Sequence, residues 1–489
     1  MEIYRTLSFM PDYPAAFYPV LPEIFLLSCA CLILIIDVLL NRATQTLTCL
    51  LSLAALIGTG LLTLYVSNPD TQLLFSDSYI RDPASDLIKF GVLSITFFAL
   101  IYARDNLSEQ ALLRGEYFTL VLFATLGMLV IASAHSFLTL YLGLELLALS
   151  LYSLVPLNRD STTGSEAGIK YFVLGALASG ILLYGISMLY GATGALNFSA
   201  VATAIQSNQV DQTFLVFGLV FIVIGIAFKF GAIPFHMWVP DVYQGAPTSV
   251  VLFLSSAPKI AAFALALRLL ADGLPGLAAH WQDMLAILAV LSMALGNVIA
   301  IAQTNIKRMF AYSTIAHVGF IFLGLLAANE KGYAAALFYS LVYALTAVGG
   351  FGVLAMLSRQ GLNVEQIDDL RGLHQRNPWV ALMMLLLLFS MAGVPPTVGF
   401  FAKLFVLEAV ISLDQISLAV IAVFFSIIGA YYYLRVIKVM YFDQPDVTIQ
   451  PMRMAFGSTT ALSVNGLSVL ALGLFPATLL ALCQAAFSP

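Results

Sequence analysis

Two apolar stretches, each of membrane-crossing character, are interrupted by glycine and proline and carry a lysine at the interruption. The first reads GIAFKFGAIPFHMWVPDVYQGAP (225–247), with Lys229 just before the break. The second reads MAGVPPTVGFFAKLF (391–405), with Lys403 just after it. Hydrocarbon cannot hydrogen-bond the backbone groups that such a break sets free, so the break survives only where protein buries it or a water-filled cavity receives it. Paired Gly/Pro-interrupted spans in corresponding halves of a chain point to an ion pathway in a transporter. A membrane machine that moves protons or small cations is therefore expected.

The rest of the chain agrees with a lipid solvent. Hydrophobic residues make up 61% and charged residues 10%, with a mean hydropathy of +0.96, far from the average soluble domain. Hydropathy and loop punctuation divide it into about fourteen candidate spans, at 20–40, 47–66, 86–103, 117–134, 136–156, 165–190, 212–232, 247–270, 282–303, 308–327, 332–357, 378–410, 413–440 and 457–484. The stretch 378–410 is too long for one simple crossing and fits a helix broken around Gly393–Pro396. The expected fold is an all-α polytopic membrane protein.

Charge asymmetry supports the parity of these spans. With the N-terminus outside, Arg42, Arg104, Arg114, Arg159, Lys307, Arg308, Arg359, Arg371, Arg376 and Arg453 fall in inner loops, against Arg5, Arg81 and Lys331 outside. Both termini are then expected on the outer side. The breaks fall in the seventh and twelfth spans, an offset of five, which predicts two five-helix units of inverted topology. The expected organisation is an N-terminal segment of helices one to three (1–116), a first repeat of helices four to eight (117–270), a second repeat of helices nine to thirteen (282–440), and a last helix (441–489). The segment 363–373 reads either as a short amphipathic helix on the inner surface, with Val364, Ile367 and Leu370 on one face, or as a solvated loop.

Several function classes drop out. No basic stripe points to nucleic acid, and no CxxC, GxGxxG or P-loop points to a flavin, nucleotide or iron–sulfur site on this chain. Cys29, Cys31, Cys49 and Cys483 lie in apolar spans without metal-ligand spacing and read as small apolar residues. The N-terminus lacks the basic-then-apolar pattern of a cleavable signal.

The chemistry must then reside in charges that hydropathy would exclude. Glu145, Lys229, Lys259 and Lys403 lie near the centres of spans, where each charge costs about 2.5 to 3.5 kcal/mol on insertion scales. Lys170, near the start of its span, reads either as a member of the same set or as a snorkelling side chain. An amine in water holds its proton to about pH 10.4, burial weakens that hold, and a neighbouring carboxylate restores it. A Glu–Lys pair whose separation changes is therefore a proton switch, and Glu145 is the acid placed to modulate Lys229. His236, directly after the first break, and His317, within its span, are candidate relay imidazoles; each also fits a hydrogen-bonded packing role. Lys307 either links the inner surface to the pathway or, with Arg308, serves as a topological charge.

These motifs also carry a resemblance. The runs GLELLALSLYSLV (143–155), FKFGAIPFHMWVPDVYQGAPT (228–248), QTNIKRMFAYSTIAHVGF (303–320) and GVPPTVGFFAKLFVL (393–407) resemble the subunit N family of bacterial respiratory complex I, the proton-translocating NADH–quinone oxidoreductase. Antiporter-like subunits L and M and multisubunit cation/proton antiporters share the core pattern. Lysine at Lys403, where subunit M has glutamate, and the lack of the long lateral helix of subunit L favour N. The resemblance implies a half-channel architecture, with Glu145 and Lys229 as the first switch, Lys259 as a connector and Lys403 as the terminal proton site. It further implies a bacterial inner-membrane location among other membrane subunits. FMN, iron–sulfur clusters and NADH would belong to partner subunits, and quinone to the complex. The remaining alternatives are an antiporter subunit without a redox partner and a membrane scaffold whose charges only hold helices together.

Overall fold

The computed structural model describes residues 17–39, 45–207, 210–358, 364–444 and 455–488. Arg5, Arg42, Arg359 and Arg453, and the first residue of the 363–373 segment, lie outside the described residues.

Among the described residues, a 3₁₀ turn (Tyr18–Val20) leads into helices α1 (Leu21–Leu39) and α2 (Gln45–Val66), followed by a hairpin of β1 (Gln72–Leu74) and β2 (Tyr79–Arg81). Next come α3 (Pro83–Glu109), α4 (Gly115–Ala132), α5 (Phe137–Leu154), α6 (Thr162–Thr193), the short α7 (Phe198–Gln206) and α8 (Gln212–Phe230). Across the first break follow α9 (Trp238–Gly245), α10 (Thr248–Leu254) and α11 (Ala257–Ala266), the last running into a π-helical segment, Leu267–Gly273. The second half holds α12 (Ala278–Ile301), α13 (Ile306–Leu325), α14 (Glu330–Leu357), α15 (Leu373–Arg376), α16 (Pro378–Ala392), α17 (Val398–Ile411), α18 (Ile416–Tyr441), α19 (Phe456–Leu474) and α20 (Pro476–Ala485).

Among the described residues, 13 helices are long and apolar enough to cross a membrane. The remaining expected crossing is the broken one, whose halves α16 and α17 are each too short alone. Span starts are set by polar caps: Asp82, Ser136, Ser161, Asp211, Asn305 and Asn329 each accept a bond from an amide of the first helical turn. Helices approach closely where side chains are smallest. A Cβ on Gly127 of α4 would lie 2.7 Å from the Gly143 carbonyl of α5, so those backbones meet through glycine.

Helices α13 and α14 and the α10–α11 span are almost wholly enclosed, while α18 exposes Ile416, Val420, Phe424, Ile427 and Tyr431 along one stripe. Such a stripe at helical spacing faces lipid or a neighbouring chain.

Three features depart from the expected layout. The span 247–270 is not one helix: it breaks at Ser255–Ser256, with Ser256 at φ −112°, ψ −90° and Pro258 in the first turn of α11. Near-continuous apolarity hides this break, because two serines and one proline leave the stretch span-like. The hairpin β1–β2 pairs Leu73 with Ile80 and turns through Phe75, Ser76 and Asp77, all at positive φ. No glycine marks that turn, so the all-α expectation misses it. The 363–373 segment is neither one helix nor a free loop. Its Ile367–Leu370 turn is 3₁₀, with Ile367 and Leu370 buried and the Ile367 amide bonded to the Thr304 carbonyl.

Candidate functional site

Both broken helices end in the same way. Helix α8 stops at Gly231 (φ +78°) and α16 stops at Gly393 (φ +84°), a left-handed turn that glycine enters without Cβ strain. Each terminal amide folds back onto the preceding turn, Gly231 onto Ala227 and Phe228, and Gly393 onto Phe389 and Ser390. The carbonyls left free beyond that turn are taken by lysines. Lys259 Nζ donates to Phe230 O at 2.8 Å, and Lys403 Nζ donates to Ala392 O at 2.8 Å. A cation at a helix C-terminus also meets the negative end of the helix dipole.

It is Lys259, from the neighbouring span, that sits at the first break as Lys403 sits at the second. Lys229 lies one residue inside α8, and its Nζ makes no hydrogen bond among the described residues; it stands 6.0 Å from the centroid of the Tyr152 ring. Lys229 and Lys259 line one cavity of about 30 Å³ with Tyr171, Trp238 and Leu147, and about 10–15 Å³ already admits a water. Trp238 shapes it: its indole donates to Phe228 O at 2.9 Å, its ring lies 5.3 Å from Lys259 Nζ, and it stacks on Tyr171 at 4.7 Å.

Glu145 is close to this cavity but separate from it. No ion pair joins Glu145 to Lys229 among the described residues, and Glu145 Oε1 is enclosed without a hydrogen-bond partner. Its neighbours one turn away on either side, Leu142 and Leu149, are exposed, so this helix face borders the chain's outer surface.

The second break contains a hydroxyl-rich cluster. Lys403 Nζ also donates to Ser426 Oγ of α18 at 2.7 Å. A small cavity joins Lys403 and Ser426 to Asn297, His317, Tyr432 and Tyr433. Buried His317 bonds through Nδ1 to Tyr339 Oη at 2.7 Å and through Nε2 to Tyr433 Oη at 3.0 Å. Tyr433 in turn bonds Ser313, and Tyr343 donates to Thr314 Oγ1 at 2.7 Å. His317 is thus both a packed and a hydrogen-bonded residue, and it faces the Lys403 cavity. His236 lies half-buried after the first break, its Nδ1 without a partner and its ring 6.4 Å from that of Tyr312.

The remaining expected lysines separate. Lys307 is buried, and its Nζ donates to Ala246 O, just past α9, at 3.3 Å. Lys170 is exposed and paired to Glu166 and to Asp241, each at 2.8 Å. Arg308 shares Asp241 at 2.8 Å, so Lys170 belongs to an exposed ion-pair network with α9.

Other buried charges escape a reading of the sequence. Arg268, in the π-helical segment, holds Asp82 through two bonds of 2.7 and 2.9 Å, Asp272 at 2.8 Å and Ala132 O at 3.0 Å. Lys89 pairs with Glu23 at 2.7 Å and with Tyr79 Oη at 2.9 Å. Burial raises the Asp82 carboxyl, but the charge and hydrogen bonds of Arg268 outweigh it and hold the group below the ordinary aspartate value. Lys89 and Arg268 stand inside apolar stretches, and that was the signal available for them.

Broken helices with lysine-capped ends, in a mostly helical membrane fold, are features of an antiporter-like ion-translocating subunit. Residues 134–429 match the transmembrane family of NADH:quinone oxidoreductase and Mrp antiporter subunits. The chain is 55% identical over 473 residues to NADH-quinone oxidoreductase subunit N of Thioalkalivibrio sulfidiphilus, covering 96% of this chain and 98% of that one. It is 51% identical over 477 residues to the subunit N of Nitrosomonas europaea, with 98% of each covered. Its fold superposes on a chain of respiratory complex I from Thermus thermophilus with a TM-score of 0.80 and 31% identity, covering 96% of this chain and all of that one. A chain of the Mrp complex from Dietzia sp. shares the fold at a TM-score of 0.83 and 22% identity, with 97% of each covered. This chain belongs to the subunit N family of NADH-quinone oxidoreductases.

Proposed function

We infer that this chain is the membrane-arm subunit of a bacterial complex I that carries protons across the membrane while other subunits oxidise NADH and reduce quinone. Family membership across nearly the full length supports the complex. Likeness to the Mrp chain supports only the fold, which leaves the stand-alone antiporter as the weaker reading.

Within that function, a proton passes between the two breaks. Lys259 and Lys403 are the titrating amines, each held against a free helix-end carbonyl and beside a water-sized cavity. Lys229 shares the Lys259 cavity and exchanges its proton according to the position of Glu145. His317, with Tyr339 and Tyr433, extends the Lys403 cluster, while Lys307 connects α9 to α13. Residues 117–270 and 282–440 act as two inverted repeats, each built around one break. FMN, iron–sulfur clusters and the NADH site reside on partner subunits. The chain sits in the inner membrane with both termini on the outer side.

The observation that carries this reading is the matched pair of lysine-to-carbonyl bonds, Lys259 to Phe230 and Lys403 to Ala392. The experiment isolates the native complex, identifies its subunits, and follows NADH-driven proton uptake in sealed vesicles. Lys259→Ala should assemble with the same partners and lose most proton uptake. Unchanged uptake in the assembled variant would remove Lys259 from the path, and isolation without NADH–quinone oxidoreductase subunits would remove the complex.

A further inference from the structure

At the membrane face where α1 and α5 end and α4 and α6 begin, the four helices leave a cleft of about 500 Å³. Its walls are mainly apolar, carrying Leu34, Leu120, Phe123 and Pro156 with the hydroxyls of Thr119, Ser153 and Ser165 between them, while Glu116 and Arg159 stand at the same cleft. Those two charges lie 4.0 Å apart, with 76% of the Arg159 side chain and 58% of Glu116 exposed. A pair so open adds little to folding, and both heads are free to turn toward a ligand. The cleft is of a size that holds one ligand molecule, and its apolar walls match an acyl chain.

We propose that this cleft seats one membrane phospholipid with a zwitterionic primary-amine headgroup, of the phosphatidylethanolamine class, its phosphate on Arg159 and its ammonium on Glu116. The guanidinium fork matches phosphate oxygens. Arginine alone would favour any anionic lipid. Glu116 beside it cancels the net charge and leaves a site for both signs at once. A primary ammonium donates hydrogen bonds to the carboxylate, whereas a quaternary one has no N–H to give. A protein segment would have to supply both charges and an apolar tail in the same small space. The lipid would join α1, from the leading helices, to α4, α5 and α6 of the first repeat, sealing the seam between them.

The test places a photoactivatable residue at Leu120 in the intact complex within native membranes, with Phe123 as a second probe position if the first blocks assembly. Mass spectrometry then identifies the adduct. Phosphatidylethanolamine should be captured beyond its share of the bulk membrane, and Arg159→Ala combined with Glu116→Gln should reduce that enrichment about tenfold, the loss of one or more charge-assisted bonds. Lipid adducts in bulk proportion, equal capture in the double variant, a neighbouring subunit's peptide at the probe, or no lipid adduct at either position would each overturn the proposal.

Discussion

Replacing Gly393 with alanine should disable the second break through Lys403 and not through backbone strain alone. Gly393 lies at φ +84°, where an L-residue costs roughly 1–2 kcal/mol. An alanine Cβ there would stand 2.9 Å from Lys403 Cδ, 3.1 Å from Nζ and 3.2 Å from Cε. The lysine would have to retreat from the Ala392 carbonyl and the Ser426 hydroxyl, both now within 2.8 Å. Losing one hydrogen bond from a charged group is worth about 1.5–3 kcal/mol, or roughly 10- to 150-fold in a rate that depends on it. Gly194→Ala is the control: it lies at φ +69° with nothing within 4 Å of the added Cβ. The assay is NADH-driven acidification of inverted membrane vesicles, normalised to assembled complex, beside thermal melting of the purified complex. Both variants should melt slightly earlier, while only Gly393→Ala should lose proton uptake by about tenfold or more. Equal uptake in the two variants would refute the role given to the Lys403 position.

Glu145→Gln should assemble and lower both proton uptake and the coupled quinone reduction, because it removes the charge that tunes Lys229; normal pumping by the assembled variant would count against the switch. Asp82→Asn should destabilise the complex by about 3–5 kcal/mol, since it strips a partner from buried Arg268, and melting of the purified complex measures it. Because the folded Asp82 carboxyl is held below its ordinary value, this clamp is fully present above about pH 4 and is lost only as pH falls through the depressed value. Melting curves of wild type and Asp82→Asn should therefore differ by a constant interval from neutral pH down to that region and converge below it.

The parts of this protein that local chemistry dictates were readable in its sequence. Gly231 and Gly393 with their nearby prolines marked both breaks, hydropathy marked the spans, and isolated charges marked the candidate path. Partnership between distant segments was not readable. That Lys259 reaches across to the Phe230 carbonyl depends on how α11 packs beside α8, and the Ser255–Ser256 break that starts α11 has no glycine to announce it. The same holds for Glu23 with Lys89 and for Asp82 with Arg268, whose members come together only through the packing of separate helices. Lys170 is a further case. Its place near the start of an apolar span leaves two readings open, and only the packed structure brings Asp241 of α9 to it beside Glu166.

The most direct test of proton relay through titrating lysines is NADH-driven proton uptake by assembled complex carrying Lys403→Arg. A guanidinium keeps its proton under all relevant conditions, so it preserves positive charge and helix-end bonding while removing exchange. The relay predicts normal assembly with most proton uptake lost; full uptake in Lys403→Arg would show Lys403 to be a structural cation and contradict the relay.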